Sequence, residues 1–586
     1  MQKIKMSRGT LLTFEEGCNK YSENCRQRNL REGTIGHFNF RCKIDYFGGS
    51  IFTNGEMCDI INVLCKFNMR NHGLHVMEVS VKAVNVMNFV RRIDEREENS
   101  TERLLAFTAE QLCLVNEYGV DNTFLLQYDA VCDENFVSLF KSKSTDRTEL
   151  GLWYEIVEPL TTACGMPYRS EMGWKWDWHI IPGYSMAYTP SQREQLIDEA
   201  MRKFKKVFGY YPKTVGGWVI DTHTLNYLSK HYDISAVAIC RDQANTDAYT
   251  LLGGYFNQAY YPSKNNIFTP AQSKGMQISV PVFRLLGPCP IHNYDNNKYS
   301  SDALRALGRK SACFTLEPCW YMGSNPDVVR WMFDSYFKEE SLGFAYAQIG
   351  QENSFFKKKD QVLEGMRCQI ETLLEKGDVS FQKMGDTGET FKKLYRDQTP
   401  PTSVVALNNF DSTDVQSVYY DCKNYTANLF RFEGRIFFRS LYLFDERIKD
   451  TYLENTCTTF DAIYENLPIV DTMSCPDEKK KESGLMIDTE GKPFSAKKIA
   501  DGILRVDFGE KSVTFYEDRI EIVSDKLTWY KGSTKAAMNI AKDGIAFEYK
   551  GHSYRLNIDG TDLFELDGNI VFVSASKKIT IYPKKV

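Results

Sequence analysis

From residue 9 to about residue 376 the chain alternates two kinds of apolar pattern. Short apolar runs read as buried strands: 9–14 (GTLLTF), 124–128 (FLLQY), 151–157 (GLWYEIV), 214–220 (TVGGWVI), 234–239 (ISAVAI), 278–284 (ISVPVFR), 311–316 (SACFTL) and 343–349 (GFAYAQI). The stretch 74–82 (LHVMEVSVK) alternates and reads as a further strand. Between them, apolar residues recur at helical spacing over 55–66, 100–117, 135–141, 190–208, 222–231 and 359–376. Ser100 or Thr101 caps the second of these, and Ser191 with Glu194 is spaced as a capping box for the fourth, which Gly209 and Pro212 end. Residues 243–300 are rich in Gly, Asn and Tyr and predict an elaborate loop over a site.

Strands alternating with helices predict parallel βα units, and about seven or eight of them over roughly 370 residues favour a closed (β/α)7–8 barrel over an open doubly wound sheet. No glycine-rich nucleotide fingerprint follows any strand. The pattern changes beyond residue 377. A polar segment, 378–402, ends in Thr399–Pro400–Pro401–Thr402 and reads as a linker. Short alternating runs separated by turns then predict an all-β sandwich over 403–586, so the expected fold class is α/β barrel at 1–377 followed by a β domain.

With 586 residues, 42% hydrophobic and 25% charged, the chain has the composition of an ordinary globular protein, with two to four domains expected. A net charge of −5 over that length gives no case for nucleic acid or an anionic membrane as partner. The sixteen cysteines form no CxxC or zinc-ligand spacing, which predicts free thiols in a reducing compartment. The N-terminal residues lack an apolar signal core, and no long apolar run predicts a membrane span, so a cytoplasmic location is expected. The oligomeric state is left open.

Candidate chemistry gathers at the strand ends, because in a barrel the C-terminal ends face one shared pocket. Glu15 and Glu16 follow the first run. Asp129, Glu155, Asp221 and Glu352 lie at or near later ones, and Arg241–Asp242 ends another. The segment Trp174–Lys175–Trp176–Asp177–Trp178–His179 puts a carboxylate and an imidazole among tryptophans, and His223 stands two residues after Asp221. An apolar, tryptophan-lined surround raises a carboxyl pKa toward the protonated state that an acid catalyst needs, and indole faces stack on sugar rings.

Thr13–Phe14–Glu15–Glu16–Gly17 resembles the TFDDG motif of NodB-type polysaccharide deacetylases, with Glu for Asp twice. In that family the first acid is the general base and the second binds a metal completed by an HxxxH pair. Here Gly183 stands four residues after His179 and Tyr227 four after His223, so the paired histidines are missing, although His223 and His231 are eight apart. The order of Glu15–Glu16, then Glu171–Met172–Gly173 with His179, then Gly209–Pro212 before a strand, is similar to the glycoside hydrolase/deacetylase superfamily of incomplete β/α barrels, over roughly 5–375. The chain more faintly resembles an inverting barrel sialidase family, in which an early acid works with a later histidine.

The resemblance implies a carbohydrate substrate. The leading expectation is a glycoside hydrolase acting on an oligosaccharide without a cofactor. In it Glu15, Glu16, Asp177 and His179 perform acid–base catalysis, and Trp176, Trp178, Asp129, Asp221, His223, Arg241, Asp242 and Glu352 bind substrate. One rival is a carbohydrate deacetylase holding a divalent metal such as zinc. The other is a non-catalytic carbohydrate-binding protein on a barrel scaffold.

Overall fold

The computed structural model describes residues 81–584 apart from breaks at 247–248, 294–313, 397, 473–482, 531 and 542–543, together with three short strands within residues 1–80. Those three, β1 (Lys3–Lys5), β2 (Leu11–Phe14) and β3 (Cys42–Asp45), form an antiparallel sheet of their own in the unit Met1–Met77. The run at 9–14 is therefore an antiparallel strand and not the first parallel strand of a barrel. A short apolar run does not disclose its partners. Glu15 and Glu16 lie outside the described residues.

In the unit Glu78–Val586 the largest sheet of the N-terminal half is built from β4 (Val81–Val90), β5 (Asn122–Gln127), β6 (Thr148–Trp153), β7 (Thr214–Gly217) and β8 (Ala236–Ile239). After β8 come a hairpin, β9 (Gln243–Thr246) and β10 (Tyr249–Leu251), then β11 (Ala259–Tyr260), β12 (Val282–Arg284), β13 (Phe344–Ile349) and β14 (Ser380–Phe381). The sheet runs β11–β12–β8–β7–β6–β5–β4–β13, with β14 on the remaining edge of β4; every pairing is parallel except that of β11. These strands are buried almost residue for residue, as helix-covered parallel strands are.

The sheet curls until its ends nearly meet. Across the remaining seam Phe283 of β12 packs on Tyr346 and Phe344 of β13, with ring centroids 5.0 and 6.3 Å apart. Asn257 Nδ2 donates to the Tyr346 carbonyl (2.6 Å), and Gln348 Oε1 accepts from the Leu286 amide (2.7 Å). Side chains thus join the ends where no backbone ladder does.

Several sequence expectations shift. The strand expected at 74–82 is found at Val81–Val90, and residues 74–80 fall outside the described ones. Of the run at 311–316 the described part makes one isolated bridge, Thr315 to Pro288. The long helix Pro190–Phe208 is capped by Thr189 with Gln192, because Pro190 takes the first helical position and leaves capping to the residue before it. Residues 378–402 are more than a linker: β14 pairs with β4, and helix Met384–Leu394 packs under the sheet, its Gly385 amide donating to Glu149. Beyond them, two antiparallel sheets pack around one apolar core that includes Leu429, Phe438, Leu504 and Val513. The described cysteines are free thiols, and no helix among the described residues is long and apolar enough to cross a membrane.

Candidate active site

The C-terminal ends of β4, β5, β6 and β13 converge on one buried cluster. Arg91 leaves β4, Gln127 ends β5, Glu155 follows β6 and Glu352 follows β13. Below them Phe89 stacks on Trp153 at 4.3 Å, and Trp218 meets Trp153 edge-on at 5.1 Å, which gives the cluster an apolar floor. Two local devices set the geometry. Gly350 carries a φ of 107° and approaches β4 so closely that a Cβ would lie 2.1 Å from the Met87 carbonyl oxygen. Asn353 then clasps the Arg91 backbone from both sides, accepting from its amide (3.1 Å) and donating to its carbonyl (2.8 Å).

Both glutamates reach the same guanidinium nitrogen. Arg91 Nη2 donates to Glu352 at 2.7 Å and lies 3.8 Å from Glu155. Glu155 also accepts from Gln127 Nε2 (2.5 Å) and from the Trp176 indole (3.2 Å), and the Arg91 guanidinium lies 4.1 Å over the Trp176 ring. Two carboxylates share one cation out of water. Burial pushes the Glu155 carboxyl up; Arg91 opposes the rise and the neighbouring Glu352 adds to it. Arg91 is held more firmly protonated than a free arginine despite its burial, by Glu352 and Glu155. Arg91 Nη1 and Gln127 Oε1 are buried without a hydrogen-bond partner. Glu352 keeps 7% exposure and marks the side from which the cluster is reached.

The tryptophan-rich segment leads from this cluster to the surface. Trp176 is buried against Glu155; Trp178 contacts Trp176 at 5.9 Å and stacks on His179 at 5.2 Å. Asp177 is buried and accepts from Ser170 Oγ (2.8 Å), from the His179 amide (3.1 Å) and from His179 Nδ1 (2.8 Å). The carboxylate thus fixes the imidazole with Nε2 directed away from it. Gly183 makes this turn possible, since a Cβ there would lie 2.2 Å from the Asp177 carbonyl oxygen. The His179 side chain is 32% exposed, and Phe460, from the C-terminal half, meets it edge-on at 5.2 Å.

The other candidate residues sit elsewhere. Asp129 accepts from the amides of Arg92 (2.9 Å), Ile93 and Ala130 (both 2.7 Å) and clasps the exit of β4; burial raises its carboxyl to about 6 against those three donors. Asp221 pairs with Arg193 at 3.0 Å, fully buried, and accepts from Ser185 and Thr224. Burial alone would raise the Asp221 carboxyl, but Arg193 and the two hydroxyls outweigh it and hold it below the usual range. His223 meets Glu194 at 3.0 Å between two helices. Arg241 and Asp242 leave β8 on the far side of the sheet, where Asp242 pairs with Arg284 at 2.7 Å. Arg91 and Gln127 carried the same signal as the acids, a polar side chain at the end of an apolar run, but a strand placed at 74–82 stops short of residue 91.

His179 and His223 are each engaged with one carboxylate on different elements, and among the described residues, which exclude Glu15 and Glu16, no three His, Cys, Asp or Glu side chains group as metal ligands. No family model and no curated protein matches the sequence. Among solved structures, the chain is similar to a glycoside hydrolase/deacetylase from Parabacteroides distasonis (14% identity, TM-score 0.47, 70% of this chain and 94% of that one). It is also similar to a polysaccharide deacetylase from Mycobacterium smegmatis (10%, TM-score 0.32, 54% and 93%). A branching enzyme from Thermococcus kodakaraensis is a third (10%, TM-score 0.29, 53% and 71%). At such scores the chemistry has to come from this chain's own side chains.

Proposed function

We propose that the chain is a glycoside hydrolase acting on an oligosaccharide, with Glu155 as proton donor and Glu352 as the opposing carboxylate. The observation that carries this reading is the sharing of one guanidinium by two buried glutamates, one pushed toward the protonated form and the other bound directly to the cation. Paired carboxyls whose surroundings drive them apart are what acid–base cleavage of a glycosidic bond requires. The Oε2 atoms of Glu155 and Glu352 are no farther apart than the legs of 3.8 and 2.7 Å through Arg91 Nη2 allow. That favours the retaining spacing of about 5–5.5 Å, with Glu352 as nucleophile, over the wider inverting one. Arg91 holds Glu352 in place through a direct hydrogen bond, Gln127 and Trp176 orient Glu155, and Trp178 with the Asp177–His179 pair forms a rim on which a sugar ring stacks and through which a proton exchanges with water.

The test is a panel of neutral and acidic oligosaccharides, followed by mass spectrometry and proton NMR of the products. Cleavage with retained anomeric configuration, lost in Glu155→Gln while the protein stays folded, is the expected result. Release of acetate from acetylated glycans with no chain cleavage would overturn it in favour of deacetylation. Tight binding of a glycan without turnover, unaltered by Glu155→Gln, would overturn it in favour of a binding protein.

A further inference from the structure

Between the strands Arg435–Leu443 and Leu467–Asp471 of the C-terminal half, a long connection runs back onto the barrel. Its backbone fixes it there. Arg193 donates to the carbonyls of Tyr452 (2.6 Å) and Asn455 (2.7 Å). The Cys457 amide donates to the Met186 carbonyl (2.8 Å), and the Ile180 amide donates to the Phe460 carbonyl (2.9 Å). Ala462 and Ile463 then pair in parallel with β10. All of these bonds use main-chain atoms of the connection, so none depends on the Phe460 side chain. That side chain is nonetheless held at 39% exposure, against the hydrophobic effect.

An exposed apolar residue standing alone needs no explanation, but Phe460 does not stand alone. It meets His179 edge-on at 5.2 Å, and His179 stacks on Trp178 at the same distance. Trp178 in turn contacts Trp174 (5.6 Å) and Trp176 (5.9 Å), whose indole donates to Glu155. One aromatic row therefore runs from the buried glutamates out to Phe460. Within it the imidazole presents Nε2, because Asp177 holds Nδ1. Ring faces interrupted by a hydrogen-bonding atom suit a ligand with apolar C–H faces and polar edges, which is the make-up of a sugar ring. The chain neighbours Thr458, Thr459 and Asp461 are exposed and polar, which fits a narrow amphipathic ligand better than a protein interface with an apolar core.

We propose that Phe460 is a sugar-stacking residue of an outer subsite, where with Trp178 and His179 it holds a ring of the oligosaccharide away from the bond being cleaved. The C-terminal half then takes part in substrate binding and makes the enzyme favour longer chains. A rigidly presented ring binds with little ordering cost, which is what the main-chain attachment of the connection provides. The choice of a sugar rests on the glycosidic reading above, whereas the place of the subsite stands on the aromatic row and that attachment.

The test is calorimetry of the full chain with cello-, xylo-, manno-, chito- and galacturono-oligosaccharides, each as disaccharide and hexasaccharide. Glu155→Gln serves as the background wherever the wild type consumes the ligand. At least one hexasaccharide is expected to bind at least tenfold more tightly than its disaccharide. Phe460→Ala and Phe460→Leu, which lack the ring face, are expected to lose most of that gain with little change in unfolding temperature. Phe460→Tyr, which keeps the face, is expected to retain it. No binding by any hexasaccharide, equal affinity for the two lengths, or an undiminished gain in Phe460→Ala each overturn the proposal. Loss of the gain in Phe460→Tyr as well would mark a structural role and overturn it too. Should Phe460→Ala not fold, Phe460→Leu decides, and failure of both to fold overturns the proposal. Length-dependent binding without cleavage of any of these sugars would sink the hydrolase and leave the subsite standing, whereas cleavage with equal affinity for both lengths would do the reverse.

Discussion

Arg193 with Asp221 and Arg91 with Glu155 and Glu352 are both buried acid–guanidinium clusters at the same end of one sheet, built to opposite specifications. Arg193 uses its whole donor set, to Asp221 and to the carbonyls of Met186, Tyr188, Tyr452 and Asn455. It ties a loop of the C-terminal half onto the barrel. Its acid is matched one to one and driven below the usual carboxylate range. Around Arg91 two acids compete for one cation, Nη1 has no partner, and the carboxyl of Glu155 is driven up. A saturated cluster holds two pieces of chain together. An oversubscribed one keeps a proton in reserve, and that difference separates a structural ion pair from a chemical one better than burial or residue type does.

The largest expected effect tests the oversubscribed cluster. Glu155→Gln keeps the shape and removes the transferable proton, so glycan cleavage should fall by about 10²–10⁴-fold, read as initial rates, with the unfolding temperature little changed. Next, Arg193→Met strands a buried Asp221 carboxylate, and chemical denaturation should reveal a loss of about 3–5 kcal/mol. An equal rate loss in Arg193→Met at temperatures where it stays folded would erase the distinction drawn above.

A smaller effect is in the pH dependence. Asp421 and Asp450 are raised by burial to about 7, and Asp129 to about 6. Their folded pKa values exceed the unfolded one, about 3.9. They therefore contribute stability that is complete below about pH 4 and is lost as pH rises through about 6 to 7. Asp221 acts in the opposite sense, contributing above its unfolded pKa and losing that contribution as pH falls through its lower folded value. Thermal unfolding from pH 5 to 8 should fall with pH, and Asp450→Asn should flatten the slope. The smallest effect is at Trp176→Phe, which removes the indole donor that favours ionised Glu155. The alkaline limb of the activity profile should move to higher pH by a fraction of a unit, with at most about a tenfold change in maximal rate.

The barrel strands β5 to β8 and β13 were legible because strands buried on both faces are written as unbroken apolar runs. The same property hid β2, since a run of four apolar-rich residues serves a small antiparallel sheet equally well. Glu155 and Glu352 could be named as strand-end acids, but not paired. Their meeting depends on β6 and β13 flanking β4 and β5 in space, a closure that spans some two hundred residues and leaves no local trace. The tryptophan segment gave the Asp177–His179 contact because both partners lie within one turn of chain. Arg241 was readable as charged and at a strand end. That its neighbour Asp242 pairs with Arg284 instead could be learned only from the fold.

The seam between β12 and β13 has one more consequence. A backbone ladder is the same for every sequence, so mutation edits it only indirectly. This joint is made by the side chains of Asn257, Gln348, Phe283 and Tyr346, and each is one codon. Selection can loosen or tighten the barrel there a residue at a time, adjusting how far the two ends of the sheet separate while every strand pairing stays intact.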